Sequence, residues 1–140
     1  MLLIRQAAVY APEYLGVRDV LVCGGVIEAV EEQIEGELPF CKVIDGRGKK
    51  LTPGFIDPHV HITGGGGEGS FHTQVPPVKL SELLQGGVTS LVGLLGTDGI
   101  SRNMESLLAR GKALKEEGLT VYLCTGSYGY PSVSLTGVIR

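Results

Sequence analysis

Apolar residues follow two different rhythms along this chain. Up to residue 52 they come as short runs cut by turn residues: LLIRQAAVY stops before Pro12, DVLVC and VIEAV flank Gly24-Gly25, and KVIDGRGKKLTPG closes the segment. Two apolar runs around a Gly-Gly pair predict a hairpin, and Asp45-Gly46 followed by Gly48 marks another tight turn. Residues 1–52 therefore read as a small β unit, and a β unit of that size without disulfides buries little core on its own.

From Gly54 the rhythm changes to strand, helix, strand, helix, strand. VKLSELLQ reads as a short helix stopped by Gly86-Gly87. VTSLVGLL is a continuous apolar run, the pattern of a parallel strand covered on both faces. Asn103 to Glu117 is amphipathic, with Met104, Leu107, Leu108 and Leu114 near one face, Ser101 or Asn103 to cap its start and Gly118 to end it. TVYLC supplies a third strand. Strands alternating with helices predict βαβ units on a parallel sheet, hence an α/β fold for residues 53–140.

The chemistry concentrates where the rhythm changes. LTPGFIDPHVHITGGGGE, Leu51 to Glu68, holds a strand, two histidines one residue apart, four glycines in a row and a carboxylate. A strand points alternate side chains to opposite faces, so His59 and His61 project from one side with Cα atoms roughly 6.6 Å apart. That spacing lets both imidazoles converge on one cation, and a metal held partly by histidine activates a bound water at neutral pH. Bare His-x-His also occurs by chance, but here Pro53-Gly54 introduces the strand, Asp57 precedes a proline and stays extended, and the histidines fall where the strand gives out. In barrels of parallel strands that end is where chemistry is assembled. By the same strand reading, Thr97 after GLLG and Tyr128 after TGS fall on the rim that carries His59 and His61, and a phenol there can donate a hydrogen bond to a developing oxyanion.

Composition narrows the classes of function. A net charge of −3 on 140 residues, with 12 scattered Lys and Arg, offers no basic patch for nucleic acid. The first residues are apolar but meet Arg5 early, and no signal peptide or membrane span is visible. Cys23, Cys41 and Cys124 are widely spaced with no C-x-x-C and read as small buried hydrophobes of a reducing compartment, so the protein is expected in the cytoplasm. His72 lies in a polar, proline-flanked loop and reads as a loop residue, while Tyr122 and Tyr130 read as packing residues. The glycine run lacks the Lys and Ser or Thr that a phosphate loop carries, so it fits close approach of a ligand to the main chain better than a phosphate cradle.

PGFIDPHVH resembles the first metal-binding strand of the amidohydrolase superfamily. The continuation HITGGGGE, then GVTSLVGLLGTDGISR, ESLLAR and TGSY, resembles the isoaspartyl (beta-aspartyl) dipeptidases within it. The resemblance runs from about Tyr10 to the last residue. It implies a TIM-like (β/α)8 barrel of metal-dependent hydrolases beside a β-sandwich, with residues 1–52 as amino-terminal strands of the sandwich and residues 53–140 as the first three strands and two helices of the barrel. It implies zinc as cofactor, two ions per site in a complete family member, with His59 and His61 binding one. A carboxylated lysine, two further histidines and a catalytic aspartate come from residues this chain does not hold. Glu68 is then the partner of the α-amino group of a β-aspartyl dipeptide, Gly66 and Thr97 contact its polar ends, and Tyr128 both binds the substrate and polarises the scissile amide. The stretch FHTQVPPV and Gly129 after Tyr128 depart from the family pattern, which bears on loop contacts and fine specificity.

A (β/α)8 barrel takes about 250 residues, and the stretch from Gly54 to Arg140 falls far short of that. The chain is therefore expected to be the amino-terminal portion of a larger, homo-oligomeric enzyme and inactive alone. Two alternatives stand beside it: another superfamily hydrolase of cyclic amides, such as a dihydroorotase or hydantoinase, or a non-catalytic fragment or subunit that needs a second chain.

Overall fold

The structure, a computed structural model, describes residues 1–137, and its chain parts into two compact units, Met1–Pro53 and Gly54 onward. Each is built around its own sheet.

The first unit is a five-stranded sheet formed by β1 (Leu2–Tyr10), β2 (Tyr14–Cys23), β3 (Val26–Glu31), β4 (Lys42–Asp45) and the two-residue β5 (Lys50–Leu51). The expected hairpin is β2–β3: Val22 pairs Ile27 and Cys23 pairs Val26, while Gly24 and Gly25 take φ of 58° and 83° in the turn, a region that glycine enters without a Cβ penalty. β1 pairs β2 antiparallel and β4 and β5 parallel, so β1 is central and β3 and β4 are edges. Ala7, Val9 and Val20 form a small core, with Ile4, Val22 and Leu51 packed on it. Beside it Asp19 is fully buried. Its carboxylate accepts from Arg5 Nη1 at 2.9 Å, Gln6 N at 2.9 Å and Ile34 N at 3.1 Å, which pins the segment after β3 to the sheet.

The second unit carries the predicted alternation: β6 (Phe55–Val60), α1 (Leu80–Gln85), β7 (Val88–Gly93), α2 (Met104–Glu116) and β8 (Thr120–Leu123). The three strands are parallel in the order β6-β7-β8. α2 begins at Asn103, whose Oδ1 accepts from Ser106 N at 2.9 Å, and ends before Gly118 at φ 101°. Its buried residues Met104, Leu107, Gly111 and Leu114 recur at helical spacing and meet Ile62, Leu91, Leu95, Leu119 and Val121 in one core. Gly111 allows the close approach, since a Cβ there would lie 2.9 Å from Leu123 Cδ1.

Three sequence expectations need correction. β7 is buried at Leu91 and Gly93 but only half-buried at Ser90 and Val92, because the two helices cover one face of the sheet among the described residues. The cysteines are not buried hydrophobes: Cys23 and Cys41 are half-buried and Cys124 is exposed. Cys41 directly precedes the edge strand β4, and Cys124 directly follows β8, its N–H still donating to Gly93 O of β7 at 2.9 Å. Tyr122 and Tyr130 are not packing residues either, with exposures of 67% and 99%. Tyr122 follows the inward-pointing Val121 and faces the other side of the sheet, with the Lys115 ammonium 5.8 Å from its ring centroid.

Candidate functional site

Pro58 has no N–H to give the ladder, and the β6–β7 register breaks between Asp57 and Val60. The break is bridged locally: Asp57 Oδ1 accepts from His59 N at 3.1 Å, and Leu94 N donates to Val60 O at 3.1 Å. The strand therefore ends in a defined shape. His59 and His61 come off it with ring centroids 5.2 Å apart, edge to face. His59 is exposed and His61 half-buried.

His61 Nδ1 is buried with no hydrogen-bond partner. Such an orphaned nitrogen is costly unless something outside the chain's own polar groups meets it. Gly65 and Gly96 leave room around the ring; a Cβ on Gly96 would lie 3.2 Å from that nitrogen. The pair fits two ligand positions of a zinc site, borderline imidazole donors on one side of a strand end. It does not complete one. Among the described residues no group of three or more His, Cys, Asp or Glu is gathered to hold an ion.

The glycine run wraps past His61 as a compact loop. Gly65 and Val75 exchange both backbone hydrogen bonds, at 3.3 and 2.8 Å, and Gly66 bridges Gln74. Gly66 has φ 70°, and a Cβ there would stand 2.5 Å from Thr73 O, so this position needs glycine on two counts. Thr97, four residues past the β7 end in the loop that follows it, donates from Oγ1 to Gly66 O at 3.4 Å. Glu68 is exposed, and its carboxyl is held below the ordinary glutamate range by a bond to its own backbone N–H, by Thr97 and by the charge of His61. Gly66, Glu68, Thr97 and His61 thus form one neighbourhood.

Tyr128 is not part of it. Its ring is 73% exposed and lines a separate cavity of about 210 Å³ with Leu94, Leu95, Cys124 and Ser132, beyond the end of β8. Like the histidines and Thr97 it follows the carboxyl end of a parallel strand, but it lines a different cavity from that of Thr97. His72 sits exposed in a 3₁₀ turn, Phe71–Thr73, as the sequence reading expected of a loop residue.

Sequence reasoning missed the residues that hold these loops in place. Asp98, 8% exposed, accepts from Ile100 N and Ser101 N at 2.9 Å each, from Gln74 Nε2 at 2.5 Å and from the Ser101 hydroxyl. The Ser101 bonds foremost keep its carboxyl far below the usual carboxylate range, so it is charged at any working pH. Arg102 pairs with it at 3.4 Å and donates to Thr63 O at 3.2 Å and Val75 O at 3.1 Å. The signal for Asp98 was present as Asp-Gly after a strand, where an aspartate takes the backbone N–H groups two and three residues on. Nothing in the sequence marks the long reach from Arg102 to Thr63 and Val75.

No family model matches the chain. It superimposes with a TM-score of 0.88 on the crystal structure of a beta-aspartyl dipeptidase from Fervidobacterium islandicum AW-1 in complex with the dipeptide beta-Asp-Leu. The two share 48% identity over 97% of this chain and 36% of that one. A D-hydantoinase from Thermus sp. matches at a TM-score of 0.58 and 25% identity, over 88% of this chain and 27% of that one. Among curated proteins, the dihydroorotase of Elusimicrobium minutum is 36% identical over 98 residues, 69% of this chain and 22% of that enzyme. The chain thus resembles a beta-aspartyl dipeptidase of the amidohydrolase superfamily along nearly its whole length, and spans about a third of the length of the dipeptidase it matches.

Proposed function

From this likeness we propose that the chain is the metal- and substrate-binding part of a beta-aspartyl dipeptidase, which hydrolyses the isoaspartyl bond of β-aspartyl dipeptides. The observation that carries the reading is 48% identity to an enzyme solved with beta-Asp-Leu, together with the gathering of Gly66, Glu68 and Thr97 beside His61. In this reading β6, β7 and β8 open a (β/α)8 barrel, and the sheet of the first unit is part of a β-sandwich. In this reading the complete protein is a cytoplasmic homo-oligomer that engages neither nucleic acid nor membrane.

His59 and His61 hold zinc, with the remaining ligands supplied by residues outside this chain; the ion's chemistry is the activation of water for attack on an amide. Glu68, ionised down to low pH, takes the substrate's α-ammonium. The backbone of Gly66 and the hydroxyl of Thr97 meet the polar ends of the aspartyl moiety, with Thr97 exchanging its bond to Gly66 O for one to the substrate. The Tyr128 phenol donates a hydrogen bond to the scissile carbonyl oxygen as negative charge gathers there. Its present exposure leaves the hydroxyl free to do so.

A second reading, a hydrolase of cyclic amides, is favoured by the dihydroorotase and hydantoinase matches. The two are separated by assaying the protein that carries this chain on beta-Asp-Leu, dihydroorotate and a hydantoin. A kcat/KM for the dipeptide at least about a hundredfold above either ring substrate is expected. The reverse order would sink the dipeptidase reading in favour of the second, and no turnover of any would point to a non-catalytic chain.

A further inference from the structure

The loops bearing the candidate substrate contacts come from different strand ends: Gly64–Glu68 follows β6, and Thr97 follows β7. A single side chain bonds to both. Arg102, directly before α2, is only 9% exposed at its side chain. Its Nε reaches Thr63 O, where the glycine run begins; its Nη2 reaches Val75 O, which also closes the run by accepting from Gly65 N; its Nη1 pairs with Asp98, the neighbour of Thr97. Gly64 is packed against the same group, since a Cβ there would lie 2.9 Å from Arg102 Nη2. Asp98 carries the connection onward through Ile100 N, Ser101 N and Gln74, itself on the return arm of the glycine loop.

We propose that the Arg102–Asp98 pair is a positioning device that fixes the glycine loop and the Thr97 loop at one separation, so that Gly66, Glu68 and Thr97 present a preformed seat for the substrate's aspartyl end. A planar guanidinium suits the task because it donates along three fixed directions at once. A lysine ammonium is a point charge on a flexible stem and cannot reproduce that fork. The pair touches neither histidine and reaches no reacting atom, so its effect falls on substrate binding rather than on the chemical step. The assignment rests on the dipeptidase reading for its consequence, though not for the coupling of the loops.

The experiment uses the whole protein carrying this chain, as Arg102→Lys, Arg102→Gln and Asp98→Asn. Amide hydrogen exchange reads the coupling without any assay. In both Arg102 variants the amides of Gly65 and Val75, and those of Ile100 and Ser101, are expected to exchange faster together, while β1 and β2 are unchanged. Faster exchange in one loop alone, or throughout the protein, would overturn the device. On beta-Asp-Leu, Arg102→Gln is expected to raise KM about ten- to hundredfold, the worth of one or two charge-assisted hydrogen bonds, with kcat within about threefold. Arg102→Lys should restore little of the loss, and zinc content should match the wild type. A fall in kcat at unchanged KM, or full rescue by lysine, would overturn the assignment. Absence of dipeptide turnover by the wild type sinks the dipeptidase reading instead and leaves the exchange result to decide the coupling.

Discussion

Glu68 and Asp19 are both carboxylates held below their ordinary range, for opposite purposes. Glu68 is exposed, and the groups that lower it, its own N–H, Thr97 and His61, are those of the candidate site. A depressed carboxylate keeps its charge until the pH falls below the ordinary glutamate value, near 4.5. The affinity for beta-Asp-Leu should therefore stay flat with respect to this group down to that point and weaken only as pH falls further through the lowered pKa. Glu68→Gln should abolish that acid limb and raise KM about tenfold or more, read from KM against pH.

Asp19 is structural. Burial pushes its pKa up, but the Ile34 and Gln6 N–H groups and the Arg5 charge outweigh burial and hold it low. Its contribution to stability is present above the unfolded value of 3.8 and lost as pH falls through the folded one. Asp19→Ala leaves the Gln6 and Ile34 N–H groups without their acceptor and Arg5 with only Ile34 O, and should cost about 2–4 kcal/mol by urea unfolding at pH 7, with the gap to wild type narrowing below pH 4. The sequence gives little hint of this residue. Its bonds run to positions 13 to 15 residues away, a reach that no local pattern encodes.

At the scale of elements the sequence was far more legible, because periodicity and punctuation are local. The Gly24-Gly25 hairpin, the helix from Asn103 and the strands over VTSLVG and TVYL all lie where alternation and turn residues put them. What the pattern could not say is which face is covered. VTSLVGLL reads as buried on both sides, yet only the side toward α1 and α2 is filled among the described residues. That helical side has measurable consequences. Asn103→Ala removes the cap on Ser106 N and should cost about 1 kcal/mol. Leu107→Ala opens a cavity in the centre of the core and should cost about 2–5 kcal/mol. Gly111→Val forces α2 away from Leu123 and should cost about 1–3 kcal/mol. Thermal unfolding of the three variants should rank them with Leu107→Ala lowest. The site divides the same way: a His-x-His at a strand end and a glycine run are visible in sequence, whereas the loop-to-loop bonds of Asp98 and Arg102 depend on the fold that brings the loops together.

For the molecule as a whole, the open face of the second unit is the decisive fact. Ile56 is 72% exposed and Tyr122 67% exposed on the parallel sheet, with β6 and β8 as unpaired edges among the described residues. Parallel sheets are stable when both faces are covered, and bare edges invite pairing with other chains. The 140-residue chain expressed alone should therefore bind little zinc, fail to hydrolyse beta-Asp-Leu and associate with rising concentration. Elemental analysis, dipeptide assay and light scattering test this together. Near-stoichiometric zinc with turnover would mean that the chain completes its own site.

The order of that sheet also bears on how it is made. Spatial order matches chain order, β6 then β7 then β8, so every strand pairs with the one synthesised just before it. On a ribosome, β7 and β8 each leave the exit tunnel with the strand they pair with already made, α1 and α2 wait only for the strand that follows them, and the separations in sequence stay short, which favours quick assembly. The sheet can grow at its trailing edge while translation is still under way.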